Sequence, residues 1–471
     1  MRCASKWETR PEWRPKLITL ETATERLSRL SGLAPVIELF IKDSLFMEFK
    51  KCLPQYVSNN SKHSLQYGLL FLVGFWIGYD CLDDFEELAS DSLIGEMFGE
   101  VPTPKSFGNF LRAFTPENIK KLREFLAQQS LSYRRQLKLK DSIAFNIDST
   151  DHEHHGDLIE GLEFNYKGKW CLDSLEVFDD EGFCYDFDLR PGATFSSQGS
   201  VEMMRGILEH RPLLPTTLGD NFRADSAFCF EEFITMTIAK HLRGTITAHD
   251  NMNWSKQVQF ITNWKPWVYT EKELKKALDR GVVLPQIEVG YYMYTPGWAP
   301  TIKLPVVIKK TFVPYERLSR KQKAQLAQEK KNPKLGLWKN YAVLSLMGLY
   351  PKTPQEIIEY HNSRANMENM IREEKIAFDL THFPCKPMTA NHAYALLGLV
   401  AHNFFRLMSL TDNKVRPQFA KALRYRFIHL PGRIVYREHK IFLKIPQTHL
   451  QEVQTWLERW AANSDPPLSV A

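Results

Sequence analysis

The sequence has little of what marks secreted, metal-stapled or membrane-spanning proteins. Its 471 residues include seven scattered cysteines and no CxxC pair, which argues against a disulfide framework or a structural zinc site. The longest apolar run, residues 68–79, is far shorter than the roughly 20 residues that cross a bilayer. The charged first residues lack the apolar stretch of a secretory signal. We therefore expect a reduced, cytoplasmic protein without membrane contact.

Several catalytic motifs are also absent. The chain contains no GxxxxGK[ST], GxSxG or GxGxxG segment, so nucleotide hydrolysis and serine hydrolysis have no sequence support. Hydrophobic residues make up 44% of the chain and aromatic residues 12%, which is enough apolar surface for globular cores. The length predicts two or three domains.

Charge is distributed unevenly behind a net value of +6. Residues 303–339 carry eleven Lys or Arg against two Glu, and residues 406–444 carry ten against two acids. Residues 148–188 instead hold thirteen carboxylates and two lysines. Basic flanks around an acidic middle favour a protein that neutralises a polyphosphate backbone and holds a divalent metal between them. A solvated surface is the alternative for any single charge run.

Periodicity predicts an α/β protein in five regions. Residues 1–135 read as an all-helical region that binds DNA ends or serves in packing, with two Thr-capped helices that could form a helix-turn-helix. Residues 136–250 read as three strands, a helix, a strand, a helix and a strand, the order of a mixed sheet. Residues 251–345 read as a β-rich insertion with a basic segment, residues 346–410 as helices, and residues 411–471 as a basic C-terminal region.

Two aspartates and one helix are the candidate chemical groups. Asp148 in NIDST is predicted at the end of an apolar strand, and Asp225 in RADS at the close of a later one. Carboxylates at such positions are hard ligands for Mg²⁺, although turn or cap roles are the alternative. A long predicted helix places Arg364, Glu368 and Lys375 on one face, with Arg372 nearby. The alternative for this helix is an exposed, salt-bridged surface.

These motifs together resemble the insertion-sequence DDE transposases, in the branch with a long β insertion and a Tyr-Arg-Glu-Lys signature. Arg364, Glu368 and Lys375 reproduce its R-x3-E-x6-K spacing, and the RPG of residues 190–192 is similar to its third strand and following turn. The signature expects a tyrosine with two residues between it and Arg364. Tyr360 is separated by three, and His361 occupies the expected slot, so either residue could take that place.

The resemblance implies an RNase H-like core that cleaves and joins DNA. It implies that Asp148, Asp225 and Glu368 are catalytic and bind two Mg²⁺ ions, for which Mn²⁺ can substitute. The DNA-contacting residues that it implies are Arg364, Lys375, Arg372, Tyr360 or His361, and Trp298, the last by stacking on an extruded base. The implied activity is cut-and-paste transposition at the inverted repeats of double-stranded DNA, by a homodimer in the DNA complex.

Other functions remain as alternatives. The chain could be a catalytically silent, domesticated DNA-binding relative, or a metal-dependent nuclease without strand transfer. The DHEHH segment at residues 151–155 suggests zinc, but it lacks the HExxH spacing. Asp186 and Asp188 could form the acid pair of a glycosidase, although no sugar groove is indicated.

Overall fold

The computed structural model describes residues 25–56, 62–211, 219–328, 336–349, 352–413, 415–438 and 440–463. The two basic segments predicted from sequence therefore lie only partly within it. Lys330, Lys331, Lys334 and Lys414 fall outside the described residues.

The N-terminal region is helical apart from one short strand. Its elements are β1 (Leu27–Ser28), α1 (Leu33–Lys42), α2 (Phe46–Cys52), α3 (Ser64–Ile77), α4 (Ser92–Phe98), α5 (Pro104–Arg112) and α6 (Pro116–Gln136). The Thr103 and Thr115 side chains cap α5 and α6 as the sequence indicates. The prediction of an all-helical region is wrong at β1, which pairs with a strand far along the chain. That partner could not be foreseen from local sequence.

Of the two roles left open for the capped helices, packing is the one that α6 visibly performs. It lies against β5 and α14 and buries apolar residues such as Leu122, Phe125 and Leu126. A recognition helix must present a free face to DNA, and α6 is largely a core helix.

A ten-stranded mixed sheet forms the centre of the molecule. Its strands are β2 (Ala144–Glu153), β3 (Glu163–Phe164), β4 (Trp170–Asp179), β5 (Cys184–Pro191), β6 (Asn221–Ala224), β7 (Arg243–Thr247), β8 (Lys265–Pro266), β9 (Ile287–Tyr294), β10 (Leu304–Val313) and β11 (Leu337–Ser345). The order is β3-β4-β2-β6-β7-β11-β10-β9-β8, and β5 also pairs with β4. β2, β6 and β7 are parallel to one another, whereas β4 and β11 are antiparallel to their neighbours. The strands predicted over residues 142–189 are confirmed.

The remaining elements cover the sheet or form the C-terminal region. They are α7 (Ser200–Glu209), α8 (Glu231–Ala239), α9 (Trp254–Gln257), α10 (Glu271–Asp279), α11 (Arg320–Gln328), α12 (Pro354–Asn362), α13 (Ala365–Ala377), α14 (Met388–Asp412), α15 (Ala420–Leu423), β12 (Gly432–Arg437), β13 (Lys440–Lys444) and α16 (Gln447–Asn463). β1, β12 and β13 form a second, three-stranded sheet.

Three local predictions are corrected. The long helix predicted after Thr353 is two helices, α12 and α13, separated by a turn at residues 363–364. The segment VQFITNWKPWVY is helical turn and loop with only two strand residues, Lys265 and Pro266. Asp148 lies inside β2 rather than at its end. The strand continues beyond Asp148 because β4 pairs with it as far as Glu153.

Helix α14 is the central helix of the core. By length and composition alone its 25 residues could cross a membrane, yet its most apolar window is 100% buried inside the protein. Its side chains contact α3, α6 and β5, as expected of a helix that is hydrophobic on all sides within a large core.

Candidate active site

Asp148 and Asp225 are brought level by two neighbouring parallel strands. In the register of β2 with β6, Phe145 is opposite Phe222 and Asn146 is opposite Arg223. Asp148 and Asp225 each follow two residues beyond this last pair. Side chains two residues apart point to the same side of a strand, so the two carboxylates share one side of the sheet. Asp225 also caps the following turn, where its Oδ1 accepts a 2.8 Å hydrogen bond from the Ala227 backbone N–H.

The surroundings of Asp148 on balance disfavour the charged form of its carboxyl group. Burial disfavours its charged form, the Arg364 guanidinium opposes this, and the negative Asp225 adds to it, so that the pKa of Asp148 rises to about 6. Its Oδ2 forms an ion pair with Arg364, and its Oδ1 accepts a 3.0 Å hydrogen bond from the Ser149 N–H. A nearby like charge raises a carboxyl pKa, and a cation shared with Asp225 would relieve that repulsion.

Helix α13 is fixed to β2 near both ends. Arg364, immediately before α13, reaches Asp148. Near the other end, the Lys375 ammonium donates to Thr150 Oγ1 at 2.6 Å and to the Asp151 carbonyl at 2.8 Å. The structure thus brings Arg364 and Lys375 to the strand that carries Asp148.

Glu368 and Arg372 lie on the exposed part of α13. Glu368 is in the first turn of the helix, one turn after Arg364, and its side chain is exposed. Arg372 is exposed and donates to Asn369 Oδ1 at 2.7 Å. Glu368 is therefore on the helix that contacts Asp148, in contact with solvent rather than in the core.

Asp148, Asp225 and Glu368 are of a residue type that binds divalent cations, although their oxygens are not all close enough to one another to hold an ion in this structure. Within the described ranges, the one group of three acidic, His or Cys ligand atoms all within 4.8 Å of one another is Asp80, Cys81 and Asp84. The oxygens of Asp148, Asp225 and Glu368 are more spread, and Arg364 is the cation on Asp148. Carboxylate oxygens are the donors that Mg²⁺ prefers, and the pKa of Asp148 is raised by burial and by the negative charge of Asp225 against the opposing effect of Arg364.

The two candidates for the signature tyrosine are placed differently. His361 on α12 is buried against β7, with Nδ1 2.9 Å from Thr245 Oγ1 and Nε2 3.1 Å from Thr247 Oγ1. Burial lowers the pKa of His361 to about 3, so the ring is neutral and anchors α12 to β7. Tyr360 packs its ring 4.4 Å from the Arg223 guanidinium.

Trp298, the proposed base-stacking residue, does not lie in a strand of the insertion. Trp298 is half-buried in the loop between β9 and β10 and packs against the main core. Trp264 and Trp338 instead take the Lys310 ammonium between them, at 4.1 and 4.9 Å from the ring centroids. Cation–π packing of this kind explains why these tryptophans accompany the lysines of β10.

The zinc alternative conflicts with the orientation of the DHEHH side chains. His152 is buried and lies 2.8 Å from Ser174 Oγ, with its pKa lowered to about 3 by burial. His154 stacks on Phe383 at 5.9 Å between centroids, while Asp151 pairs with Lys169 at 2.8 Å. The side chains alternate between the two faces of β2, so they do not converge on one ion.

The glycosidase alternative conflicts with an arginine. The Arg123 guanidinium binds both oxygens of Asp186, at 2.7 and 2.9 Å, and Asp188 Oδ1 at 3.0 Å. A general acid and a nucleophile must act independently, and here one cation compensates both carboxylates.

Two buried glutamates beside the site were not predicted from the sequence. Glu176 is directly opposite Asp148 on β4 and accepts a hydrogen bond from Ser174. Glu374 on α13 faces Glu176, and both are fully buried. Burial raises the pKa of both carboxyls, and the pKa of Glu374 rises further because Glu176 is so close. A glutamate inside the apolar strand 170–179 was the available signal.

Comparison with protein families identifies the class of protein. The model of the transposase DDE domain, group 1, matches residues 12–459, nearly the whole chain. The protein therefore belongs to the DDE transposases, a class of nuclease and transferase enzymes that use divalent metal ions and act on DNA. No match was found among curated proteins.

Proposed function

We propose that the chain is the transposase of an insertion sequence and that Asp148, Asp225 and Glu368 form its catalytic site. The observation that carries this proposal is the level placement of Asp148 and Asp225 on adjacent parallel strands, with Arg364 from the start of α13 on Asp148. Three separate parts of the chain thus bring the expected residue types towards one side of the sheet.

The strand order supports an RNase H-like core. Three antiparallel strands (β5, β4 and β2) are followed by two strands parallel to β2 (β6 and β7). We assign residues 136–250 and 346–410 to this core, residues 251–345 to an insertion and residues 411–471 to a C-terminal region. The insertion strands β8 to β11 extend the same sheet beyond β7, as expected for a β insertion between the second Asp and the Glu.

The proposed ligands of Mg²⁺ are the carboxylates of Asp148, Asp225 and Glu368. The chemistry supplied there by a bound metal pair is activation of the attacking water or 3′-hydroxyl and stabilisation of the leaving oxygen. The protein's part is to hold ionised carboxylates in place. Asp148 becomes ionised more readily once positive charge lies between it and Asp225, because its pKa is raised partly by that neighbour.

Arg364 and Lys375 are proposed as the phosphate contacts. A guanidinium binds phosphate in a two-pronged fork and an ammonium binds it as a point charge. Arg364 would exchange its Asp148 partner for a phosphate when DNA is bound. Arg372, exposed on the same helix, is a further contact, and Trp298 is the proposed base-stacking residue. For the signature slot we favour Tyr360 as the DNA contact, because His361 is held by Thr245 and Thr247.

The proposal is tested with DNA that carries the inverted repeats flanking the coding sequence, together with Mg²⁺. The wild type should nick the repeat ends and form joined products as a homodimer on paired ends. Asp148→Ala should bind this DNA but not cleave it. Cleavage by Asp148→Ala would refute the assignment of that ligand.

The same assay separates the alternatives. Cleavage without joined products would indicate a metal-dependent nuclease. Binding without any cleavage by the wild type would indicate a catalytically silent relative.

A further inference from the structure

The β12–β13 hairpin places cations directly opposite one another. In its antiparallel register, Arg433 is opposite Lys444, Val435 is opposite Phe442, and Arg437 is opposite Lys440. Alternate residues of a strand share a face, so these six side chains lie on one surface, which we call the ribbon face. It consists of two rows of cations on either side of a Val–Phe pair.

The opposite face of the hairpin is fixed to the protein. Ile434 is 5% exposed and Leu443 packs against the main core. Tyr436 accepts a 2.6 Å hydrogen bond from Arg26, which is itself paired with Glu96. The ribbon face therefore points away from the body of the protein, and Phe442 on it is 44% exposed.

Little negative charge compensates the ribbon face. Glu25, from the chain beside β12, lies 3.5 Å from Arg433, and both side chains are about half exposed. Glu438 follows Arg437 at the turn. Within the described ranges no ion pair is formed by Arg437, Lys440 or Lys444. Like charges directly opposite in a sheet are destabilising, so an anionic partner on this face would relieve the repulsion in both pairs.

We propose that the ribbon face is a docking surface for the backbone of double-stranded DNA. The two cation rows are separated by four residues, or about 13 Å at the usual rise of a strand. The major groove of B-DNA is about 12 Å wide and admits a two-stranded ribbon. The cations would therefore reach phosphates on the groove edges, with Phe442 between them. This inference rests on the proposed function only in taking DNA as the partner.

Binding of duplex DNA by a double variant that lacks two of the cations tests the proposal. The double variant Arg437→Gln with Lys440→Gln, which we call the ribbon variant, lacks one cation row. The matched control is Lys105→Gln with Lys240→Gln, since these two lysines are exposed elsewhere on the protein. Binding is measured by the fluorescence anisotropy of a random-sequence duplex from about 50 to 200 mM salt. The magnitude of the slope of log K against log[salt] should be smaller by about 1.8 in the ribbon variant, or about 0.9 for each lost phosphate contact. The control should keep the wild-type slope.

Thermal unfolding distinguishes DNA contact from a structural role. Removing a like-charge pair should leave the melting temperature of the free protein equal or higher, whereas loss of a structural contact would lower it. Lys440→Glu, which creates an opposite-charge pair with Arg437, should raise the melting temperature and weaken DNA binding further. We therefore expect Lys440→Glu to have a higher melting temperature and a lower affinity for DNA than the wild type.

An unchanged slope in the ribbon variant would overturn the proposal, and so would an effect confined to single-stranded DNA or to an acidic protein. Failure of the catalytic assignment looks different. If Asp148→Ala still cleaved while the ribbon variant lost salt dependence, the proposed catalytic site would fail and the DNA surface would stand.

Discussion

Two pairs of aspartates on the central sheet have opposite electrostatic surroundings. Asp186 and Asp188 on β5 are both bound by Arg123, whose pKa is raised by the two charges. At Asp148 and Asp225, by contrast, the Arg364 guanidinium forms an ion pair with Asp148, and the pKa of Asp148 still rises to about 6 because of burial and the negative Asp225.

The difference shows that the balance of charge, rather than the number of acids, separates a structural pair from a candidate metal site. The first pair is saturated by a guanidinium that also ties α6 to β5. In the second pair Arg364 bonds to Asp148, and the negative Asp225 lies close enough to raise the pKa of Asp148, so another cation can be taken up there. Perturbed carboxyl pKa values of this kind accompany functional sites.

The largest expected effect is on catalysis, from Asp225→Asn. Asparagine is as good a helix cap as aspartate, so the bond from Ala227 N–H is retained while the charge is lost. Cleavage should fall by on the order of a thousand-fold or more, with an unchanged melting temperature. Full cleavage activity in this variant, measured on flanking-repeat DNA, would remove the distinction between the two pairs.

The second effect is on stability, from Asp186→Ala. The change leaves the partly buried Arg123 without its main partner, so the free energy of unfolding should fall by about 1–3 kcal/mol. Cleavage per folded molecule should stay near the wild-type value. Urea unfolding gives the first quantity, and a selective loss of cleavage without loss of stability would contradict the structural role.

A third effect is on the pH profile, from Arg364→Gln. Arg364 lowers the pKa of Asp148 against the effect of burial, so its removal should raise that pKa above about 6. The acidic limb of cleavage should move to higher pH, because Asp148 must be ionised to act as a ligand. Lys240→Gln serves as a control, and a limb that stays in place or moves down would count against the ion pair.

The smallest expected effect is on the pH dependence of stability, from Glu374→Gln. In the folded protein the pKa of Glu374 is raised well above its usual value of 4.5, so the native state holds a proton that the unfolded chain releases. That stability is complete below about pH 4.5 and is lost as the pH rises through the folded pKa. Glutamine needs no proton there, so unfolding free energies above about pH 4.5 should vary less with pH than in the wild type.

Several strands and the position of Asp225 could be predicted from the sequence because they depend on local patterns. Short alternating runs predict β2, β4 and β5, and the strand-following Asp225 is placed as expected. Arg364 and Lys375 of the R-x3-E-x6-K segment both reach β2, whereas Glu368 between them is exposed.

The remainder depends on long-range pairing, which local sequence does not specify. His361, near the end of α12, is held by Thr245 of β7, more than 100 residues earlier. The partnership of β1 with β12 and the cation register of the β12–β13 hairpin likewise need the folded chain. Glu176 becomes notable only once β4 puts it opposite Asp148.

Calorimetric titration of Mn²⁺ near pH 7 tests whether Asp148, Asp225 and Glu368 share a divalent metal, as we propose. We expect saturable binding to the wild type and at least about tenfold weaker binding to Asp148→Asn, Asp225→Asn and Glu368→Gln, with Asp188→Asn as the control that binds normally. Wild-type Mn²⁺ affinity in any of the three site variants would contradict it.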